Sequence, residues 1–325
     1  MRLNPRDHTI RLFIITLLAL GALLTAGSAF GAAAADHTNP RSDNWGAVRQ
    51  GEAGVTTSHA QGHSVLIQSA GQLWRSIRNG PLAGIVPWLL AAVLLAIGIF
   101  YLIVGRDDLE EPRSGIRLKR YSLFERILHW TTATLFILLA LSGLSMLFGR
   151  AVLIPIFGLS GFAAFMQAGI WIHNLSGPIF LAGVLVEFLV WVRHNIPKPM
   201  DFRWFKNLGG MIGDGPRPHA GKVNGGAKAW FWLMVLGAIG AGATGVILDF
   251  PIWEQSRQTM QIAHVIHATI AMLFLAASFG HIYIGTIGAE GTFEGMWIGS
   301  VDATWAKQHQ DLWYEEKMNA RGESV

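Results

Sequence analysis

Four histidines lie inside or at the end of apolar stretches of the sequence, and they are His129, His173, His267 and His281. The last two share one stretch and are fourteen residues apart. On an α-helix this spacing gives a vertical separation of about 21 Å and an angular offset of only about 40°. One helix would therefore present both imidazoles on the same face, near opposite sides of a bilayer.

The composition is that of a membrane protein. Of the 325 residues, 51% are hydrophobic and only 14% are charged, whereas soluble proteins average about 25% charged residues. The chain has no cysteine, which excludes disulfides, thiolate-held iron–sulfur clusters and covalently attached c-type haem in this chain. The formal net charge of +4 comes from basic residues clustered between apolar stretches. We therefore attribute it to loops and expect no nucleic-acid partner.

Five apolar stretches approach the length of about 20 residues that a bilayer requires. They are residues 82–104, 129–148, 170–192, 229–249 and 262–287. The connecting segments 105–128 and 193–228 carry six and seven Lys or Arg residues, whereas the loops 149–169 and 250–261 carry one each. Because short cytoplasmic loops are enriched in Lys and Arg, the first two segments are predicted to be cytoplasmic, together with the C-terminus.

The N-terminal residues 1–35 have the pattern of a secretory signal peptide, in which arginines precede an apolar run and small residues follow it. A retained anchor helix is the alternative, and either interpretation leaves the next segment outside the cytoplasm. The predicted organisation is a signal peptide (1–35), an extracytoplasmic polar segment (36–81), an extra transmembrane helix (82–104), a cytoplasmic linker (105–128), a four-helix core (129–287) and a cytoplasmic C-terminal tail (288–325). The composition of the tail allows two interpretations, a solvated segment with interfacial aromatics or a docking surface for a soluble partner.

This orientation assigns a depth to each histidine. His173 and His267 come near the outer side of the membrane, and His129 and His281 come near the inner side. Each level pair brings two imidazoles toward a gap between helices, and neutral imidazole is a good axial ligand for haem iron. A lone histidine in an apolar span is more often a packing residue, but ionisable residues in two level pairs favour a functional role. We therefore expect two haem b groups whose iron transfers electrons rather than binding oxygen.

His264 is the main competitor for the outer ligand position. It is seventeen residues from His281 and would face about 100° away from it on an ideal helix, so His267 is preferred. His194 lies at a predicted cytoplasmic helix end and is expected to face lipid headgroups. Small residues near the four histidines would admit a flat macrocycle, although close helix packing uses the same residues. These are Gly143, Gly177, Gly183, Gly280 and Gly285.

Several short segments occur in a specific order between Arg120 and Tyr314. They include Phe124–Trp130, Leu141–Gly143, Ile172–Gly177, Arg193–Pro197, Lys222–Lys228, His267–Ala268, His281–Tyr283 and Gly295–Lys307. In this order they resemble the gamma subunit, or cytochrome b subunit, of membrane-bound respiratory formate dehydrogenase. The resemblance covers about three fifths of the chain. Residues 1–119 have no counterpart in the more compact members of that family.

The resemblance implies two haem b groups with the same histidine pairing and a quinone site on the cytoplasmic side. The quinone contacts of the family match Asn224 and Gly226, with His281 close by. Asn224 offers an amide donor for a quinone carbonyl, and the glycine permits close approach of the backbone. On sequence alone, a plain turn before the fourth span is the simpler explanation of the Asn-Gly-Gly motif.

The expected fold is an all-α membrane protein, a transmembrane helix bundle with a four-helix dihaem cytochrome b core plus one extra N-terminal transmembrane helix. The resemblance implies a place in the bacterial cytoplasmic (inner) membrane. It also implies two partners, an iron–sulfur electron-transfer subunit and a molybdenum or tungsten catalytic subunit that oxidises formate. Electrons would then enter on the outer side and reach quinone near the cytoplasm. The alternatives are a cytochrome b subunit of a nickel–iron hydrogenase or related reductase, and a haem-free membrane anchor.

Overall fold

The computed structural model describes residues 49–50, 69–212, 217–250, 252–253 and 255–322. The predicted signal peptide and much of the polar segment that follows it lie outside these residues. Within the described chain, five helical segments are long and apolar enough to cross a membrane. The prediction of an all-α, multi-pass bundle with five spans is therefore confirmed.

The helices follow one another through short connections. In chain order the helices are Ser69–Ile77 (α1), Val86–Val104 (α2), Leu123–Val152 (α3), Ile154–Trp191 (α4), Pro199–Lys206 (α5), Gly225–Asp249 (α6) and Arg257–Tyr283 (α7). A π-helical turn, Arg78–Leu82, joins α1 to α2. The five candidate spans are Gly71–Val104, Leu123–Val152, Ile154–His194, Gly225–Asp249 and Arg257–Gly288. The first contains α2 and most of α1, whereas α5 is a short helix outside the spans.

Local sequence signals set the helix starts that position the histidines. At the start of α3, the Ser122 side chain accepts a hydrogen bond from the Glu125 amide, and the Glu125 carboxylate accepts one from the Ser122 amide. This reciprocal capping satisfies two amides that a helix start leaves unpaired. The caps of α6 and α7 have only one of these two bonds. The Asn224 side chain accepts a hydrogen bond from the Ala227 amide, and the Ser256 side chain accepts one from the Thr259 amide. The caps of α3 and α7 fix where these two helices begin, and so the depth of His129, His267 and His281 along them.

The predicted outer loop at 149–169 is wrong, because the structure has helix there. α3 continues to Val152 and α4 starts at Ile154, with one break at Gly158, whose φ is 68°. Glycine tolerates this backbone conformation because it has no Cβ. The predicted spans were each limited to about the thickness of a bilayer. The part of α4 after this break, residues 159–191, extends about 50 Å at 1.5 Å per residue, well beyond a hydrocarbon core of about 30 Å.

The chain segments before α3 and after α7 fold together into a small domain, which we call the end unit (residues 105–122 and 288–322). Strand β1 (Arg117–Lys119) pairs antiparallel with strand β2 (Ser300–Asp302), so that Leu118 lies opposite Val301. Three short helices complete the unit. These are Thr292–Trp297 (α8), Ala303–His309 (α9) and Asp311–Asn319 (α10).

The end unit has its own hydrophobic core. Trp305 and Trp313 are 4% and 3% exposed, and they pack with the paired Leu118 and Val301. These two tryptophans are therefore not interfacial aromatics of a solvated tail, as one interpretation proposed. Trp297, in contrast, is 58% exposed. The last part of the chain is a folded cap on one end of the bundle.

Polar contacts fasten the linker to this cap. Asp302 accepts hydrogen bonds from the amides of Ser114 (3.1 Å), Gly115 (2.9 Å) and Thr304 (2.9 Å). Burial alone would raise the pKa of Asp302, but these hydrogen bonds hold it below its ordinary value. Arg217, from the connection between α5 and α6, forms an ion pair with Asp107 at 2.7 Å. Hydrogen bonds and ion pairs thus join three separate connections at one end of the bundle.

Candidate functional site

The structure brings the four predicted histidines together in two pairs, one on each half of the bundle. The ring centres of His129 on α3 and His281 on α7 are 6.3 Å apart. The ring centres of His173 on α4 and His267 on α7 are 6.1 Å apart. These are the pairs that the depth argument predicts. α7 contributes one histidine to each pair.

The spacing within each pair suits two ligands of one metal ion. A metal–nitrogen bond of about 2 Å on each side, plus about 1 Å from each nitrogen to its ring centre, puts two such rings roughly 6 Å apart. Both observed separations agree with this value. The donor set, two imidazoles about 6 Å apart on different helices, also suits the axial positions of haem iron. The residues present therefore fit a bis-histidine haem at each pair.

In the His173–His267 pair, hydrogen bonds engage Nδ1 of both rings and leave Nε2 free to bind a metal. Nδ1 of His267 lies 2.9 Å from the carbonyl oxygen of Ala241, which can only accept, so Nδ1 carries the proton. Nδ1 of His173 lies 2.8 Å from Oγ of Ser142, whose own hydroxyl donates to the Leu138 carbonyl. In both rings the proton is on Nδ1, and Nε2 is left with a lone pair for a metal.

A cavity of about 350 Å³ surrounds the His173–His267 pair. Gly143 and Gly177 line it, and a Cβ added at Gly177 would meet no other atom within 4 Å. The lining is largely apolar, with the aromatic rings of Phe136 and Phe274 toward the middle of the bundle. A narrow apolar space between helices, bordered by glycine, suits a flat organic group.

Not every glycine near the histidines serves this purpose. A Cβ added at Gly183 would lie 2.6 Å from the Thr132 side chain. Gly183 therefore allows α3 and α4 to pack closely, which is the alternative that the sequence analysis left open. Gly280 and Gly285 have open space where a Cβ would lie.

The His129–His281 pair has different surroundings. Nδ1 of His129 is buried and has no hydrogen-bond partner among the described residues. The indole ring of Trp230 stacks on His281, with ring centres 4.4 Å apart and planes inclined by 8°. A buried imidazole without polar partners is costly in a folded protein, and Trp230 fixes the orientation of the other ring. Sequence reasoning missed Trp230, because only the packing of α6 on α7 brings it to His281.

His264 points to a different neighbour. Its Nδ1 accepts a hydrogen bond from the indole Nε1 of Trp74 at 3.3 Å, and the two rings meet edge to face. His264 borders the same cavity as His267, but in the described structure its ring is paired with α1 rather than with His173. His194, at the end of α4, accepts a hydrogen bond from Arg193.

The Asn-Gly-Gly segment forms a helix start with close packing behind it. The Asn224 side chain caps α6 by accepting a hydrogen bond from the Ala227 amide at 2.9 Å. A Cβ at Gly226 would lie 2.4 Å from the Trp204 ring, so this glycine makes room for a tryptophan of α5. Lys228 forms a buried ion pair with Asp201 at 2.8 Å. The amide nitrogen of Asn224 is left as the group suited to donate to a ligand.

Glu187 is a buried acidic residue that the sequence analysis did not single out. It is 1% exposed, and its carboxylate accepts a hydrogen bond from the Thr132 hydroxyl at 2.5 Å. The signal was present, because an acidic residue interrupts the apolar stretch 170–192 and such residues are functional candidates by default.

The fold and the histidine pairs define a membrane cytochrome b. Residues 120–299 match the family described as prokaryotic cytochrome b561. The chain is 31% identical over 212 residues to the nitrate-inducible formate dehydrogenase cytochrome b556(Fdn) subunit of Escherichia coli K12, covering 63% of this chain and 94% of the relative. It is 30% identical over 200 residues to the formate dehydrogenase cytochrome b556(fdo) subunit of the same strain, covering 61% and 92%. It is 29% identical over 218 residues to the formate dehydrogenase cytochrome b556 subunit of Haemophilus influenzae, covering 64% and 87%.

The chain therefore belongs to the prokaryotic cytochrome b561 family and, within it, groups with the cytochrome b subunits of formate dehydrogenase. This confirms the resemblance seen in the sequence motifs. The matched region begins at residue 120, so it contains the four histidines but neither α1 nor α2.

Proposed function

We propose that this protein binds two haem b groups and carries electrons across the bacterial inner membrane, from an extracytoplasmic formate-oxidising partner to quinone near the cytoplasmic side. The observation that carries the proposal is the pair of ring separations, 6.1 Å and 6.3 Å, at two levels of one bundle. The names of the relatives, which are cytochrome subunits of formate dehydrogenase, support the choice of electron donor.

The histidines act as ligands and their neighbours act as positioning groups. His173 and His267 would hold the outer group, and His129 and His281 the inner one. When bound, haem b supplies a one-electron carrier at each of these two levels. The apolar and aromatic cluster around Phe180, Phe231 and Phe274 fills the bundle core and excludes water from it.

Charge distribution supports the proposed orientation. The six and seven Lys or Arg residues of segments 105–128 and 193–228 connect spans at the same end of the bundle as the end unit. Because such an excess marks the cytoplasmic side, the end unit and the C-terminus are assigned to the cytoplasm. The His173–His267 pair then faces the outer side, where electrons arrive.

The proposed partners are an iron–sulfur electron-transfer subunit and a molybdenum or tungsten catalytic subunit. Among the described residues, no group of three or more His, Cys, Asp or Glu residues is placed to hold a metal ion. The four histidines are engaged in pairs. The names of the relatives, which are cytochrome subunits of formate dehydrogenase, support the assignment of formate oxidation to a partner subunit.

The proposed quinone site lies near Asn224, Gly226 and His281, at the end of the bundle that carries the end unit. Trp230 provides the structural link, because it lies less than two turns after Asn224 on α6 and stacks on His281. The Asn224 amide nitrogen would donate a hydrogen bond to the quinone carbonyl. Since Trp204 packs on Gly226, the quinone would approach from the Asn224 side of this turn.

Purification in mild detergent tests this function. The chain should co-purify with a formate-oxidising partner, and formate should reduce the haem absorbance and then an added quinone. His267→Ala should lose one haem per chain, whereas the matched variant His264→Ala should keep both. Loss of haem in His264→Ala with retention in His267→Ala would reverse the ligand assignment. A colourless protein would leave the haem-free anchor as the function.

A further inference from the structure

The segment that precedes the family match packs directly over the His173–His267 cavity. Leu82 and Val86 form a buried cluster with Met272 of α7. Trp74 of α1 donates its indole hydrogen bond to His264, also on α7. The helix α1 and the π-helical turn Arg78–Leu82 are thus held against the same helix that carries His267.

Arg78 is the charged residue that this segment brings to the cavity. It lines the cavity together with His173 and His267 and is half-buried. Its guanidinium donates a hydrogen bond to the adjacent Asn79 side chain at 3.0 Å. Across the described chain it has no ion-pair partner within 4 Å, although other arginines are paired with carboxylates.

The remaining lining explains what such a charge would do. Apart from Arg78, the described polar lining residues are Asn174, Asp249, His264 and the two paired histidines, and no other Lys or Arg borders the cavity. Haem b carries two carboxylates at one edge, and they must leave the apolar interior where a cation or water meets them. Arginine is suited to this role, because its planar fork binds a carboxylate through two hydrogen bonds.

The local backbone gives a reason for the placement of Arg78. The turn Arg78–Leu82 is π-helical and contains Pro81, and such widened turns occur frequently at functional sites. The turn ends α1 and starts the approach to α2. The side chain of Arg78 therefore reaches the cavity from a segment that already packs on α7.

We infer that Arg78 binds a carboxylate of the haem held by His173 and His267, and that α1 and its π-helical turn form a built-in cover over the outer haem site. This inference rests on the proposed function, because it presumes a haem at that pair. It concerns residues outside the matched family region, so the cover is an addition of this chain to the four-helix core.

The test compares Arg78→Gln with Arg75→Gln in the purified full-length protein. Arg75 is an exposed arginine of the same helix and does not line the cavity. A positive charge near a haem favours its reduced, more negative form. Arg78→Gln should therefore decrease the equilibrium constant for reduction of one of the two haems by about threefold to tenfold. For one electron this lowers the midpoint potential of that haem by roughly 28 to 59 mV. The other haem and the Arg75→Gln protein should match the wild type.

Two further variants keep the inference falsifiable if Arg78→Gln loses a haem. Arg78→Lys keeps the charge and should restore the haem, whereas Trp74→Phe removes the anchoring hydrogen bond and keeps Arg78. If Arg78→Gln and Trp74→Phe lose haem to the same extent, and Arg78→Lys does not restore it, the segment has only a packing role and the inference is wrong. If the wild type holds two haems and Arg78→Gln leaves both potentials unchanged, the inference fails while the proposed function stands. A wild type without an outer haem overturns both.

Discussion

At the scale of single residues, each outer histidine depends on a second contact for its orientation. The Ala241 carbonyl and the Ser142 hydroxyl both engage Nδ1, so both rings present Nε2 to the cavity. Such contacts raise the basicity of a ligand and fix its ring, and their loss typically costs 10- to 100-fold in metal affinity. The histidines could be found from the sequence by their depth. Ser142 and Ala241 could not, because helix packing alone selects them from many similar residues.

Ser142→Ala should weaken haem binding at the outer pair without removing a ligand. We expect haem loss to an acceptor protein to become roughly tenfold faster or more, given the usual cost of losing such a contact. Haem transfer followed by visible absorbance measures this. Ser145→Ala is the control, since Ser145 bonds to the Leu141 carbonyl in the same way. Equal transfer rates in the two variants would show that the Ser142 contact has no role in holding His173.

Asn224 has two functions that substitution can separate. Its side-chain oxygen caps α6, and its nitrogen is the proposed quinone donor. Asn224→Asp keeps the cap but removes the amide donor, whereas Asn224→Ala removes both and costs about 1 kcal/mol of helix stability. We expect Asn224→Asp to keep both haems and their reduction by the partner, yet to slow quinone reduction. Wild-type turnover with wild-type inhibitor sensitivity would place the quinone elsewhere.

At the scale of elements, the sequence predicted the spans better than their connections. Five spans are visible because apolar length is a local property. The end unit cannot be recognised in the sequence, because its two strands lie on either side of the four-helix core. Leu118, before the core, pairs with Val301, after it. The break at Gly158 was missed for a related reason, because a span length set by the bilayer gives no information on how far a helix continues beyond it. The helix α1 was not predicted either, because it lies in the segment 36–81, whose composition is polar overall.

Asp302 gives the end unit a predictable response to acid. Its pKa is lowered in the folded protein, so its stabilising contribution is present above the ordinary aspartate value of about 3.9 and is lost as the pH falls through the lower folded value. Fluorescence of the buried Trp305 and Trp313 should report loosening of the unit in that acid range. Asp302→Asn should loosen the unit at neutral pH and reduce this pH dependence, of which Glu294 keeps a share because its pKa is also lowered in the folded protein. Asp108→Asn should behave as the wild type. An unchanged acid response in Asp302→Asn would contradict the assignment.

At the scale of the whole molecule, the bundle connects two chemically different ends. One end carries the cavity, the π-helical turn and Arg78. The other carries the end unit, the Asn224 turn and the basic connections. The residues His267 and His281 of α7 are fourteen positions apart, about 21 Å along the helix. A path for electrons between the two sides thus follows one helix.

The orientation can be tested with single cysteines, because the chain has none of its own. Ile252, between α6 and α7, is 73% exposed, and the Glu316 side chain of the end unit is 68% exposed. A membrane-impermeant maleimide added to intact spheroplasts should label Ile252→Cys and should reach Glu316→Cys only after permeabilisation. The reverse pattern would invert the assignment of outer and inner haem.

The haem content of the purified protein tests the central claim most directly. Two level histidine pairs and the absence of cysteine predict two extractable haem b groups per chain. A pyridine haemochrome assay against protein concentration should therefore give a ratio near two for the wild type, and a ratio near one for His173→Ala and for His129→Ala. A wild-type ratio near one or zero, or haem that resists extraction, would contradict the account.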